Sequence, residues 1–275
     1  MMISVQLYPI HDVIALDEAS IVLKSLESGN EQVSIKSLDT QKSISPNNPH
    51  DKRLLEKVTS RVCLCKAVQS LSKELTFSEI LENLEKNEKG KPFFRDLHYD
   101  LSLAHSRGMV VAAVTEKRKG HFLGIDLEVK PPKNLDALRR VCTHTEWIDI
   151  QSIENIEQRK ASFLRRWCAK EAYVKALGEG LGYGFANLEV EPIGITHDKV
   201  AQITRAPELW QLIDYTLEPP LSTPIHTWCF ESQDSSVSCL SITYPSKSKS
   251  ERLIDNSSAP DLEFLVNDGK GFPDF

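Results

Sequence analysis

Residues 98–129 read HYDLSLAHSRGMVVAAVTEKRKGHFLGIDLEV, and the fold class turns on them. They hold three β-prone runs, HYDLSLAHS, MVVAAVT and HFLGIDLEV, joined by Arg107-Gly108 and by a basic turn over 116–120. That pattern predicts an antiparallel meander, closed by Pro131-Pro132. Upstream, Leu55, Val58, Val62, Cys65 and Val68 recur every three or four residues, the mark of an amphipathic helix running on from Asp51. Thr76-x-x-Glu79 is a capping box that opens a second helix carrying Ile80, Leu81 and Leu84. Gly90 and Pro92 end it. Downstream, helices are expected over 134–142, from near Thr145, and over 158–177. β-like runs follow at 188–190, 226–230 and 237–244. Helices and strands are grouped within each half rather than alternated, which argues an α+β fold and against a doubly wound parallel sheet. Residues 26–52 are polar and predict a long loop. Residues 245–275 begin Ser-, Lys- and Pro-rich and predict a flexible tail.

Composition narrows the function classes. The chain has 275 residues, a net charge of −6, 40% hydrophobic and 26% charged residues. One large or two modest domains are expected at that length. The acidic balance gives no support to a nucleic-acid binder or a membrane-surface binder. No apolar run approaches the roughly 20 residues a membrane helix needs. The first twenty residues lack Lys and Arg and carry Asp12, Asp17 and Glu18, unlike a secretory or transit segment. A cytoplasmic location is expected, and six cysteines without a C-x-x-C pair read as reduced thiols rather than a zinc site.

The chemistry-bearing residues lie in four short segments. Along 122–129, Gly124, Asp126 and Glu128 share one strand face, which sets two carboxylates about 7 Å apart at the backbone. Carboxylate oxygens suit Mg²⁺, Mn²⁺ or Ca²⁺, and Gly124 offers a close approach to an anionic ligand. The plain alternative is an exposed edge with alternating charges. In RRWCAKEAYVKALGEGLGYG, Trp167, Glu171 and Lys175 fall at i, i+4 and i+8 on one helix face. An acid and an amine beside two further acids would serve a metal–phosphate site; otherwise Glu171 and Lys175 form a surface pair. The glycines after that helix are neither a P-loop nor a dinucleotide fingerprint. Lys91 in a Gly-Lys-Pro turn and His105 at a strand end could each touch a phosphate.

Taken together, Gly90-Lys91-Pro92, Ser102-Leu103-Ala104-His105-Ser106, Gly124-Ile125-Asp126-Leu127-Glu128 and Trp167-Cys168-Ala169-Lys170-Glu171-Ala172-Tyr173-Val174-Lys175 resemble the 4′-phosphopantetheinyl transferase superfamily, in its surfactin-synthetase-activating and fungal lysine-pathway forms. The resemblance runs from about residue 51 to 191. It implies two similar α+β halves related by a pseudo-twofold, 1–118 and 119–244, with coenzyme A between them. It implies transfer of phosphopantetheine from coenzyme A to a serine of an apo carrier protein of acyl, peptidyl or aminoadipate-reductase type, by a monomer. Asp126, Glu128 and Glu171 resemble the Mg²⁺ ligands (Mn²⁺ also fits), and Lys175 resembles the lysine that holds the pyrophosphate. Lys91, Pro92, Ala104 and His105 fall at coenzyme A-contacting positions. Ala104 stands where the family commonly has a serine, and Arg107 where it commonly has a glycine. Glu146 matches a glutamate proposed as the base for the carrier serine, although Thr143-x-x-Glu146 equally fits a capping box. Lys42, Arg53 and Arg61 are candidates for the N-terminal basic contacts. A Mg²⁺-dependent phosphohydrolase and a non-catalytic coenzyme A- or carrier-binding module are the rival readings.

Overall fold

A computed structural model describes residues 2–10, 21–22, 25, 49–131, 133–180, 182–195, 208–231, 237–243 and 261–266. Lys42 and nearly all of the polar 26–52 stretch lie outside them. In chain order the described elements are β1 (Met2–Pro9), α1 (Pro49–Leu71), α2 (Phe77–Glu82), β2 (Leu84–Lys86), β3 (Pro92–Phe94), β4 (Tyr99–Ser106), β5 (Met109–Glu116) and β6 (Gly124–Glu128). A 3₁₀ turn (Asp136–Val141) leads to α3 (His144–Ser152) and α4 (Ile156–Leu177). Then come a short 3₁₀ turn (Phe185–Asn187), β7 (Leu188–Ile195), β8 (Glu208–Asp214), β9 (Leu221–Glu231), β10 (Val237–Thr243) and β11 (Asp261–Val266). The α+β class is as the sequence predicts.

Two sheets carry the fold, ordered β11-β1-β5-β4 and β6-β10-β9-β8-β7, with β2 and β3 as a separate hairpin. The β4–β5 hairpin forms as expected; Arg107 and Gly108 both take positive φ, 44° and 90°. Two such residues make the tight turn whose twist matches paired strands. The third run departs from the predicted meander, because β6 pairs with β10 in the other sheet. β1 pairs instead along β5. Its alternation of Ile3, Val5 and Leu7 with Ser4 and Gln6 was a strand signal. The second helix also stops sooner than expected, since Leu84–Lys86 turns into a strand opposite Pro92–Phe94. At the C-terminus, β11 lies parallel to β1 within the stretch read as a tail.

Burial explains this arrangement. α1 packs Val58, Val62, Leu64 and Val68 onto Leu101, Val110, Ala112 and Val114 of the first sheet. The other faces of the two sheets meet in a shared cluster, with Ile3, Val5, Leu7, Val111 and Ala113 against Ile125, Leu127, Leu240 and Ile242. β5 is therefore buried on both faces, which is why MVVAAVT is continuously apolar rather than alternating. α4 packs on β6 and β10 from the far side. Asp126 thus lies beneath a helix, not on an exposed edge.

Candidate active site

The site forms where α4 crosses β6. Gly124 makes the crossing possible: a Cβ there would sit 1.9 Å from the Ala172 carbonyl oxygen and 2.7 Å from the Ala176 nitrogen. The glycine predicted to admit a ligand admits the helix backbone instead. At the far end of α4, Gly178 adopts φ 72° as a left-handed cap, the conformation that favours glycine after a helix. Trp167, Glu171 and Lys175 consequently face the acid side of the strand.

Lys175 Nζ lies 2.5 Å from Asp126 Oδ1. It therefore pairs across the helix–strand contact rather than along the helix with Glu171. The second oxygen of Asp126 is buried with no hydrogen-bond partner. Both oxygens of Glu128 are held, Oε1 by Trp167 Nε1 at 3.2 Å and Oε2 by Ser106 Oγ at 3.1 Å. Burial pushes the Glu171 carboxyl up to about 7, with Asp126 adding repulsion and Lys175 opposing it. Burial, then Asp126, raises Glu128 as well. Burial alone would lower Lys175, but Asp126 and Glu171 outweigh it and hold the ammonium above its ordinary value.

These charges fit a hard divalent cation in their chemistry. Three carboxylates on adjoining elements repel one another, and a buried oxygen of Asp126 has no protein donor; an ion with oxygen preference answers both. Among the described residues, however, no group of three or more His, Cys, Asp or Glu side chains stands arranged to hold a metal ion. Lys175 is the counter-charge present.

Two hollows with several basic side chains lie beside Lys175. A hollow of about 630 Å³ is lined by Arg53, Lys57 and Arg61 of α1 together with Lys86, Pro92 and His105. A smaller one, about 240 Å³, is lined by Lys89, Lys91, Lys175, Ser102 and Gly178. Gly90, Pro92 and Leu103 line both, so the two are neighbours. Lys91 Nζ donates to the Ala176 carbonyl at 2.7 Å, near the end of α4. Arg53, Lys57 and Arg61 stand four residues apart on one helix face, so the helical period that revealed α1 could also have found Lys57; Lys86, on β2, had no such signal.

Two predicted contacts fall elsewhere. Ala104 is buried in the cluster between the sheets, so only its backbone could meet a ligand; His105, next along the strand, is exposed to the larger hollow. Glu146 is 1% exposed and makes the capping box with Thr143. It also pairs with Lys170 Nζ at 2.5 Å and accepts the Val190 amide at 2.8 Å. Lys170 further donates to the carbonyls of Val141 and Phe185. The structure thus gives Glu146 a buried structural network, apart from the acids on β6 and α4. Trp167 stacks on Phe185, with ring centres 5.1 Å apart, and its N–H holds Glu128. A partly buried indole needs such a partner, which was the available signal.

The segment from Phe122 to Cys229 matches the family model of the 4′-phosphopantetheinyl transferase superfamily. Over these residues, which are less than half of its length, the chain is similar to that superfamily. The superfamily match contains Asp126, Glu128, Trp167, Glu171 and Lys175, and therefore the whole acid cluster. Among curated relatives, 4′-phosphopantetheinyl transferase HetI of Nostoc sp. is 33% identical over 132 residues, 46% of this chain and 52% of that one. The 4′-phosphopantetheinyl transferase of Bacillus subtilis is 34% identical over 97 residues, 34% of this chain and 40% of that one. The L-aminoadipate-semialdehyde dehydrogenase-phosphopantetheinyl transferase of Xenopus laevis is 26% identical over 161 residues, 54% of this chain and 49% of that one. The chain spans about half the length of the curated relatives it matches. No helix among the described residues is long and apolar enough to cross a membrane.

The raised Glu171 carboxyl carries a pH signature. A group that binds its proton more tightly when folded stabilises the protein fully below its unfolded value, here 4.5, and loses that contribution as pH rises through about 7. In EDTA the melting temperature is expected to fall between those pH values, and Glu171→Gln should flatten the fall. Added Mg²⁺ should reduce it, by pairing with the ionised form. Thermal melts at several pH values check this; identical curves for wild type and variant would place the titration elsewhere.

Proposed function

We propose that this protein transfers the 4′-phosphopantetheine group of coenzyme A to a serine of an apo carrier protein, releasing adenosine 3′,5′-bisphosphate. The observation that carries the reading is Lys175, which lines the smaller basic hollow and pairs with Asp126 of an acid cluster that lies wholly inside the superfamily match. Arg53, Lys57, Arg61 and Lys86 suit the phosphates of a nucleotide, as point charges and forks. His105 and Pro92 line the same wall. Lys91 and Lys175 lie further along, where a pyrophosphate would reach the acids. The two sheet-and-helix units, 1–118 and 119–244, are then the two halves related by a pseudo-twofold, with coenzyme A between them.

Asp126, Glu128 and Glu171 would hold Mg²⁺, or Mn²⁺ in its place, which when bound would neutralise the pyrophosphate oxygens and favour departure of the bisphosphate. Lys175 would give up part of its hold on Asp126 to the transferred phosphate. The serine attacks phosphorus, its oxygen forms the new P–O bond, and the bond to the bisphosphate breaks. The serine proton needs an acceptor. Glu146 is the candidate that the family resemblance offers, and since both of its oxygens are engaged in the buried network, it would take the proton only by giving up one of those bonds. Carriers of the acyl, peptidyl and aminoadipate-reductase types are candidate substrates, for a monomeric cytoplasmic enzyme.

Intact-mass spectrometry of apo carriers incubated with the protein, coenzyme A and Mg²⁺ tests the reading. A carrier heavier by one phosphopantetheine group is the expected result. An unchanged carrier with consumed coenzyme A would mean hydrolysis, and no consumption would mean a binding module. Asp126→Asn keeps shape and removes an anionic oxygen, so turnover should drop more than about 100-fold, beyond the usual effect of a residue one step removed from a metal. Its melting temperature should stay within a few degrees, because the partly exposed Lys175 can turn to solvent. Full turnover in this variant would sink the metal assignment.

A further inference from the structure

The bond from Ser106 to Glu128 joins strands that belong to different sheets. β4 offers side-chain oxygens to amides in β6 and at the residues on either side of it, where a neighbouring strand would offer carbonyls. Asp100 Oδ2 accepts from the Leu123 N–H at 2.6 Å, Ser102 Oγ from Ile125 at 3.0 Å, and Ser106 Oγ from Val129 at 3.2 Å. Ser106 differs from the other two in what it does with its remaining valence. A hydroxyl has a single proton to donate. With the Val129 amide on its lone pair, that proton goes to Glu128 Oε2, 3.1 Å away. A donor to a carboxylate makes a charge-assisted bond, stronger and more directional than a neutral one.

We propose that Ser106 is a positioning residue that acts through Glu128: from the N-terminal half it fixes the orientation in which that carboxylate meets a divalent cation. Trp167 holds the opposite oxygen from α4, so Glu128 is set between two elements and neither donor alone determines its orientation. The inference rests on the metal-dependent reading of the acid cluster, but not on the identity of the acceptor.

Mn²⁺ binding to the full chain, without coenzyme A and followed by the electron paramagnetic resonance of the free ion, tests it. Ser106→Ala should weaken Mn²⁺ binding about tenfold, and Ser106→Thr, which keeps the hydroxyl, should recover most of it. Asp100→Ala removes a link of the same kind at the other end of the seam and touches none of the three acids. It should lower the melting temperature while leaving Mn²⁺ affinity unchanged. Wild-type affinity in Ser106→Ala, equal weakening in Asp100→Ala, or no binding by wild type would each overturn the proposal. Failure of carriers to gain mass, with this Mn²⁺ pattern intact, would count against the transferase reading alone.

Discussion

Gly124→Ala is expected to cost about 3 kcal/mol or more of stability, at the upper end of what overpacking a core does. The added methyl would meet the Ala172 carbonyl oxygen at 1.9 Å and the Ala176 nitrogen and Cβ at 2.7 and 2.8 Å. Two of those atoms are backbone, so no rotamer change relieves the contact. α4 must move off β6, and with it Glu171 and Lys175, so activity should fall further than stability alone accounts for. Gly182→Ala is the control, since nothing lies within 4 Å of its missing Cβ. It should melt at or slightly above the wild-type temperature, as alanine reduces the freedom of the unfolded chain. Equal melting temperatures for both variants would show that the crossing relaxes without cost.

The second large effect is expected at Glu146. Glutamine keeps the shape and one acceptor but leaves the Lys170 ammonium, 1% exposed, without its counter-charge. Removing one partner of a buried ion pair typically costs about 3–5 kcal/mol. Burial already lowers the Lys170 proton affinity, with Glu146 the main opposing influence. The double variant Glu146→Gln, Lys170→Met should recover a good part of the loss, since an apolar stem needs no partner. Denaturant titrations of the three variants give the coupling. A single variant that melts with wild type and yet loses turnover would return Glu146 to the proton-accepting role that the family resemblance implies.

What could be read from the sequence follows the range of each interaction. The capping boxes at Thr76 and Thr143 were legible because both partners lie three residues apart. The G-x-D-x-E strand and the W-x-x-K-E-A-x-x-K helix were legible as two one-faced sets, again from local period. Their meeting was not, since Lys175 reaches Asp126 across 49 positions and Trp167 reaches Glu128 across 39. Period alone could not show that β6 leaves the hairpin before it for another sheet. Its Ile125 and Leu127 fill the same intersheet core as Val111 and Ala113, so either pairing would satisfy the pattern. Glu146 shows the same limit. One glutamate can cap a helix and neutralise a lysine 24 residues away, and only the first of these has a signature in sequence.

The seam between β4 and β6 has a consequence for how such a protein can change over generations. Backbone ladders bind strands with the same groups whatever the sequence, and are indifferent to most substitutions. Here the joint between the two sheets is written partly in side chains, Asp100, Ser102 and Ser106. Ala104, on the same strand face, brings no hydroxyl to it and fills the apolar core instead. Each position can therefore mutate separately and alter the spacing of the sheets while each sheet stays whole. A lineage has in this seam an adjustable joint, set one side chain at a time.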